Sequence, residues 1–241
     1  KMVCDATGWL DEGLKYMNDT HSTRAMAFAL KGLFYYHQVC PTPQNRLMAL
    51  KLATKLERMY MHECDTGWNW FESYLTYGNS VLPEAMLCAY LITENERFKS
   101  IALSSFDFLL SKTFTTKNIK LISNRSWWQK GKIAADFGEQ PIDAAYTILA
   151  LGRFHDVFKD EHYLQKMKMA LSWFLGNNHL HQIIYNSCTG GCYDGLEETH
   201  VNLNQGAEST VSYLMARLTA ERYLREGNLV EKELAHQLQG I

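Results

Sequence analysis

Residues 139–154 read EQPIDAAYTILALGRF, and their pattern decides the fold. A polar pair, Glu139-Gln140, is followed by Pro141 and then by apolar residues at helical spacing, with Ala144, Ile148 and Leu151 on one face. Proline suits the first position of a helix, and Asp143 falls in the first turn, where a carboxylate complements the helix dipole. The same order recurs twice, at Leu82-Pro83-Glu84 and at Gly206-Ala207-Glu208, so the acids Glu84, Asp143 and Glu208 stand about sixty positions apart. Each is reached through a long polar, aromatic-rich loop: Asp65 to Leu82, Thr113 to Gln140 and Asn177 to Gln205.

Working outward, each acid opens the first helix of a hairpin, with first helices at Leu82 to Ile92, Pro141 to Phe158 and Gly206 to Arg225. The second helices read Glu96 to Ser111, Glu161 to Leu175 and Leu229 to Gln239. An earlier unit fits the frame, with Ser22 to Gln38, a break at Cys40-Pro41-Thr42-Pro43, and Asn45 to His62; here Arg24 takes the place of the acids. Phe98 and Phe108 in one unit match Tyr163 and Trp173 in the next, ten positions apart in both. A period this long indicates stacked hairpins, none of which buries its apolar face alone. Strands are expected only as short pieces such as Ile183 to Tyr185.

The fold class expected is therefore all-α: repeated antiparallel helical hairpins forming an (α/α) toroid. With no Pro-, Gly- or Ser-rich linker, residues 1–241 read as a single domain. Four hairpins and a leading helix at Trp9 to Met17 fall short of a six-hairpin ring, and the chain starts at Lys1, so it reads as an incomplete toroid, the C-terminal part of a longer chain. Connections inside hairpins are short, around Thr93 to Asn95, Lys159 to Asp160 and Gly227 to Asn228, whereas those between hairpins run to about twenty residues or more. That alternation gathers the long loops on one face, an arrangement suited to a site carried on a rigid scaffold.

A net charge of −2 without a basic stripe removes the electrostatic footprint of a nucleic-acid binder. No apolar run approaches the roughly 18 residues that span a bilayer, so no membrane partner is expected. The six cysteines lack disulfide-framework spacing and read as free thiols of a reducing cytosol, which makes the expected location cytoplasmic. Cys188 and Cys192 with His179, His181 and His200 could be zinc ligands, but Cys-x3-Cys is not a standard pair and no metal or other cofactor is expected.

The loops themselves suggest a sugar. Trp68, Trp70, Tyr77 and Asn79 accompany Glu72 in the first, Trp128 accompanies Glu139 and Gln140 in the second, and Tyr193 and Asp194 accompany Asn202, Asn204 and Gln205 in the third. Rings beside carboxylates and amides fit a pyranose, whose C–H face stacks on an aromatic while its hydroxyls bond the polar groups. Glycoside hydrolysis needs two carboxyl groups flanking the bond. Glu72 and Asp143 are the preferred pair, with Asp194 and Glu208 in reserve. Structural duties compete: helix capping for Glu84 and for Asp143, buried hydrogen bonding for Glu208, and core packing for the tryptophans.

Three runs carry a family resemblance. Trp68 to Glu72 with Leu75 to Tyr77 and Leu82 to Glu84, Glu139 to Ala145, and Gly190 to Leu196 followed by Asn202 to Thr210 resemble a bacterial family of glycosyltransferases and of regions fused to or neighbouring them, with an (α/α) toroid like that of six-hairpin glycosidases. The resemblance covers roughly Thr66 to Leu218, and the last run is its most specific part. It implies carbohydrate metabolism and a possible glycosyltransferase partner. The chain shows no Gly-rich phosphate loop or βαβ pattern of its own, and Gly78 stands where the family has Asp. Three functions stay open: a glycoside hydrolase-like enzyme, a glycan-binding accessory domain, and a zinc-dependent toroid of the lanthionine-cyclase type.

Overall fold

The computed structural model describes residues 8–10 and 12–238, excluding the side chains of residues 18 and 224–238. Seven long helices carry the fold: α1 (Thr23–Val39), α2 (Pro43–Glu63), α3 (Val81–Thr93), α4 (Glu96–Thr113), α5 (Pro141–Phe158), α6 (Glu161–Phe174) and α7 (Ala207–Leu238). Four two-residue strands interrupt the loops: β1 (Tyr74–Leu75), β2 (Trp128–Gln129), β3 (Gly195–Leu196) and β4 (Val201–Asn202). The expected leading helix Trp9 to Met17 crosses residue 11, which lies outside the described residues. On either side, 8–10 and 12–14 are helical, and Met17–Asp19 form a 3-10 turn.

The chain falls into two compact units. The first comprises Lys1–Lys112 with Gln129–Lys132, and the second Thr113–Trp128 with Ile133–Ile241.

In the first unit, Ser22 and Thr42 cap α1 and α2 by accepting from Ala25 N and Asn45 N, as hydroxyl side chains do at orphaned helix N–H groups. Helix α1 packs on both α2 and α3. Between α3 and α4 only Glu94 and Asn95 intervene, and Glu94 takes the left-handed conformation (φ 61°) that ends the helix. The core is aromatic: Trp70 meets Phe71 and Phe108, Phe71 meets Tyr60, and Trp68 meets Phe108 edge-on at 5.1 Å.

In the second unit, the α5–α6 connection repeats that design, with Lys159 at φ 55° and Asp160 capping α6 through His162 N. Helix α7 packs on α5 and α6. Phe98, Phe108, Tyr163 and Trp173, the residues paired by the repeat, are all buried.

The expected fourth hairpin is corrected. The chain does not turn at Gly227-Asn228; Ala207–Leu238 form one continuous helix. A glycine inside a helix costs only about 1 kcal/mol relative to alanine, and no proline forces a break.

Among the described residues no helix is long and apolar enough to cross a membrane.

Candidate functional site

The second unit contains a cavity of about 280 Å3 lined by Asn124, Glu139, Gln140, Asp194, Gly195, Glu197, Asn202, Gly206, Ala207, Glu208 and Ser209. Its walls come from the end of the 113–140 loop, the β3–β4 hairpin within the 177–205 loop, and the start of α7; the 65–82 loop contributes none of them. An antiparallel bridge between Glu139 and Leu196 joins the first two, with Glu139 N–H donating to Leu196 O and Leu196 N–H donating to Glu139 O, both at 2.9 Å. The β-carbon of any other residue at Gly195 would stand 2.6 Å from Glu139 O, so the bridge requires glycine there.

Three carboxyl groups in this cavity have different environments. Glu139 is buried; Trp173 Nε1 donates to its Oε2 at 2.6 Å, and His179 Nδ1 lies 3.9 Å from Oε1. Burial pushes its carboxyl above the usual carboxylate range, against the Trp173 bond and the His179 charge, which pull it down. Asp194 is driven the other way. Burial raises its pKa, but hydrogen bonds from Ser209, Asn204 Nδ2 and Gly206 N–H outweigh this and leave it lowered. Glu208, in the first turn of α7, is exposed and forms no hydrogen bond or ion pair among the described residues. Of the two readings of Glu208, a reserve catalytic acid and a buried hydrogen-bond organiser, the exposure does not fit the second, and the position lines the cavity at the helix start. A fourth acid, Glu197, is bonded to Arg125 at 2.7 Å.

Other positions expected in the site are placed elsewhere. Asp143 is buried in the first turn of α5 and does not line the cavity. Gln205 accepts from Thr189 Oγ1, and the Asn204 amide serves Asp194. Tyr193 accepts from Asn186 Nδ2 at 3.0 Å and faces a second, larger groove of about 920 Å3 bounded by Leu175, Ile183, Tyr185, His200 and Leu203. Trp128 is half-buried in β2.

Within the first unit, both oxygens of Glu72 are engaged. Arg24 Nη1 donates to Oε1 at 3.1 Å and to Oε2 at 2.9 Å, while Thr23 Oγ1 donates to Oε1 at 2.7 Å. The same guanidinium bonds Thr76, Asn79 and Tyr77 O, and lies 5.2 Å above the Tyr77 ring. Asn79 closes its own turn by bonding both N–H and C=O of Thr76, with Gly78 at φ 56°. Trp68 and Trp70 are core residues rather than open stacking platforms: Trp70 is fully buried, and Trp68 spends its Nε1–H on Glu72 O. Glu84 is buried against Lys31 Nζ at 2.6 Å, an ion pair rather than a simple dipole contact.

Among the described residues no three of His, Cys, Asp and Glu are arranged to hold a metal ion. Burial, with the Asp194 charge, pushes the Cys192 thiol up to about 12.

Sequence reasoning missed Asn124, Glu197 and Ser209, and it assigned Trp173 to the core without its bond to Glu139. Glu197 was within reach, one residue beyond the Gly190 to Leu196 run.

No family model matches this chain, and neither does any curated protein. Solved structures do. A sugar epimerase from a ruminal bacterium is 16% identical with a TM-score of 0.58, the match covering 88% of this chain and 59% of that one. An inactive variant of an alpha-1,6-mannanase of Salegentibacter sp. HEL1_6, in complex with alpha-1,6-mannotriose, is 14% identical with a TM-score of 0.60, covering 87% and 57%. A D-mannose isomerase is 15% identical with a TM-score of 0.59, covering 85% and 57%. At such identities the likeness is one of fold. It assigns the chain to the (α/α)-toroid class of helical hairpins that these sugar-acting proteins share, and the aligned part spans less than two thirds of each of them.

Proposed function

We propose that the protein is carbohydrate-active and glycoside hydrolase-like, and that the cavity of the second unit receives one sugar residue. The observation that carries this reading is the meeting of Glu139, Asp194 and Glu208 with the amides of Asn124, Gln140 and Asn202 in one cavity. Its volume, about 280 Å3, is at the low end of small-molecule sites and suits a single ring. Carboxyl groups whose environments separate their pKa values are the usual means of assigning acid and base in one site. Glu139, held toward the protonated form, supplies the acid; Glu208, with no partner of its own, acts as the base that activates water. Asp194 holds the loop and accepts from a sugar hydroxyl. This reading moves the chemistry from Glu72 and Asp143, whose surroundings are structural, to the acids of the third loop and α7. The fold likeness to an epimerase, an isomerase and a mannanase supports a sugar ligand and leaves the reaction open.

One observation favours a binding-only role, as a glycan-binding domain associated with a glycosyltransferase. Glu139 and Asp194 are both bonded to the protein, which leaves Glu208 as the single unengaged acid of the three. Incubation with a panel of neutral oligosaccharides including alpha-1,6-mannotriose, read by mass spectrometry and calorimetry, separates the two readings. A product lost in Glu139→Gln and in Glu208→Gln supports catalysis. Binding without product establishes the accessory role, and neither binding nor product overturns the carbohydrate reading.

A further inference from the structure

The charge inventory of the cavity carries a conclusion about which sugars it accepts. Four carboxyl side chains line it, those of Glu139, Asp194, Glu197 and Glu208, together with three amides, and no lysine, arginine or histidine is among the lining residues. The nearby cations are committed. Arg125 is bonded to Glu197, and His179 faces Glu139 with Nδ1 while Nε2 contacts Glu197 O at 2.8 Å. The start of α7 could attract an anion through its dipole, but its Gly206 N–H already serves Asp194, and Glu208 adds a second negative charge in the same turn. Hydrogen bonds hold Asp194 ionised, and Glu208 has no counter-ion among the described residues. A phosphate or carboxylate ligand entering the cavity meets these acids with no lysine, arginine or histidine among the lining residues to receive it.

On that basis we infer that the cavity is charge-selective: it takes a neutral sugar residue, prefers one bearing an amine, and rejects uronates, sugar phosphates and nucleotide-linked sugars. The inference rests on the carbohydrate reading above and sharpens it, because a cavity of this kind serves the glycan and not a nucleotide-sugar donor. An ammonium group placed at Glu208 gains an ion pair in a partly exposed setting, worth up to roughly fivefold in affinity. A ligand anion at the same place loses roughly tenfold or more, since like charges brought together oppose binding.

Calorimetric titration of the intact chain with glucose, mannose, glucosamine, glucuronate, mannose 6-phosphate and UDP-glucose tests the inference, alongside the Glu208→Gln variant. The expected order is glucosamine tighter than glucose, with glucuronate, mannose 6-phosphate and UDP-glucose at least about tenfold weaker than their neutral counterparts. The glucosamine-to-glucose ratio narrows toward one in Glu208→Gln and in high salt, which screens exposed charges. Binding of glucuronate or mannose 6-phosphate as tight as that of glucose or mannose overturns the charge rule while leaving the carbohydrate reading intact. A ratio unchanged by Glu208→Gln overturns it as well, because the selection then arises outside this cavity. If no sugar of any charge binds, the carbohydrate reading itself fails and takes this inference with it.

Discussion

Gly206 donates its N–H to Oδ1 of Asp194 at 2.8 Å, and a β-carbon on Gly206 would stand 2.9 Å from that same oxygen. The hairpin that carries Asp194 and the helix that carries Glu208 are thus joined at a point where only glycine leaves room. Gly195, on the other side of Asp194, has the same constraint against the backbone of Glu139.

The two glycines differ in what an added methyl group would displace. At Gly206 the obstacle is the end of a side chain, which can rotate away at the expense of its hydrogen bonds. Gly206→Ala is expected to cost about 1 kcal/mol of stability, the net value of one such bond, and to weaken sugar binding. At Gly195 the obstacle is the Glu139 carbonyl, which a side-chain rotation cannot relieve. Gly195→Ala should cost about 2 to 3 kcal/mol, the upper part of the usual range for point variants. Urea denaturation of both variants checks the order, and an equal or reversed cost contradicts the close approach at Gly195.

The pH dependence of stability gives a test of Glu139. Its ordinary value is 4.5, and burial raises it in the folded state. Below 4.5 folded and unfolded chains both hold the proton, and the shift contributes nothing. As pH rises above 4.5 the unfolded chain releases the proton first, so wild-type stability declines until pH passes the raised folded value. Glutamine does not titrate. The melting temperature of Glu139→Gln relative to wild type should therefore improve as pH rises above 4.5 toward the raised folded value. A relative melting temperature that falls over that interval would show that the carboxyl is not raised.

How far the sequence anticipates this site depends on the kind of information each residue carries. Helix starts are largely local: Pro141 with an acid two residues on marks the helix that begins there, and the helix expected from Ser22 starts one residue later with Ser22 as its cap, whereas the one expected from Asn45 already begins at Pro43, inside the stretch read as a break. The hairpin turns are local too, although Glu94 and Lys159 adopt left-handed conformations without the glycine that usually marks them. The partners of an acid are not local. Nothing within the Trp68 to Glu72 run shows that Arg24, some fifty residues earlier, will hold Glu72. An aromatic cluster reads the same whether its rings face a sugar or one another, so Trp68 and Trp70 resemble a platform in sequence and form core in space. Glu208 reads in sequence both as a reserve catalytic acid and as a buried hydrogen-bond organiser of an apolar helix, and only the fold of the preceding loop, which places it exposed beside the cavity, separates the two. The turn expected at Gly227-Asn228 fails because composition sets a modest cost for continuing a helix, not a prohibition.

Arg24 and Glu72 should behave as a coupled pair. Their side chains are 11% and 10% exposed, and the guanidinium also ties down Thr76, Asn79 and the Tyr77 carbonyl. Removing one partner of a mostly buried pair leaves the other uncompensated, so Arg24→Ala is expected to cost about 3 kcal/mol. Glu72→Ala should cost a comparable amount by stranding the arginine. The double variant should cost about 1 kcal/mol or more less than the sum, the coupling expected for residues in contact. Additive costs in a double-mutant cycle would show that the pair contributes no coupling energy. Arg24→Lys should fall between wild type and alanine, because an ammonium group cannot reproduce the guanidinium's several directed bonds.

The pair Lys31 and Glu84 separates stability from charge in a different way. Glu84 is almost wholly buried in the first turn of α3, and Lys31 reaches it from α1 at 2.6 Å, so the contact ties the two helices together. Burying both charges is expensive, and their attraction offsets that expense only while both are present. Lys31→Met should therefore cost about 3 kcal/mol or more, because a carboxylate is left in an apolar setting without its cation. Adding Glu84→Gln to that variant should recover much of the loss, since a neutral amide replaces the stranded charge, at the cost of a favourable dipole contact of about 0.5 kcal/mol. Melting curves of the single and double variants decide the matter: a double variant no more stable than Lys31→Met would mean that the lysine's own packing, not the charge on Glu84, accounts for the loss.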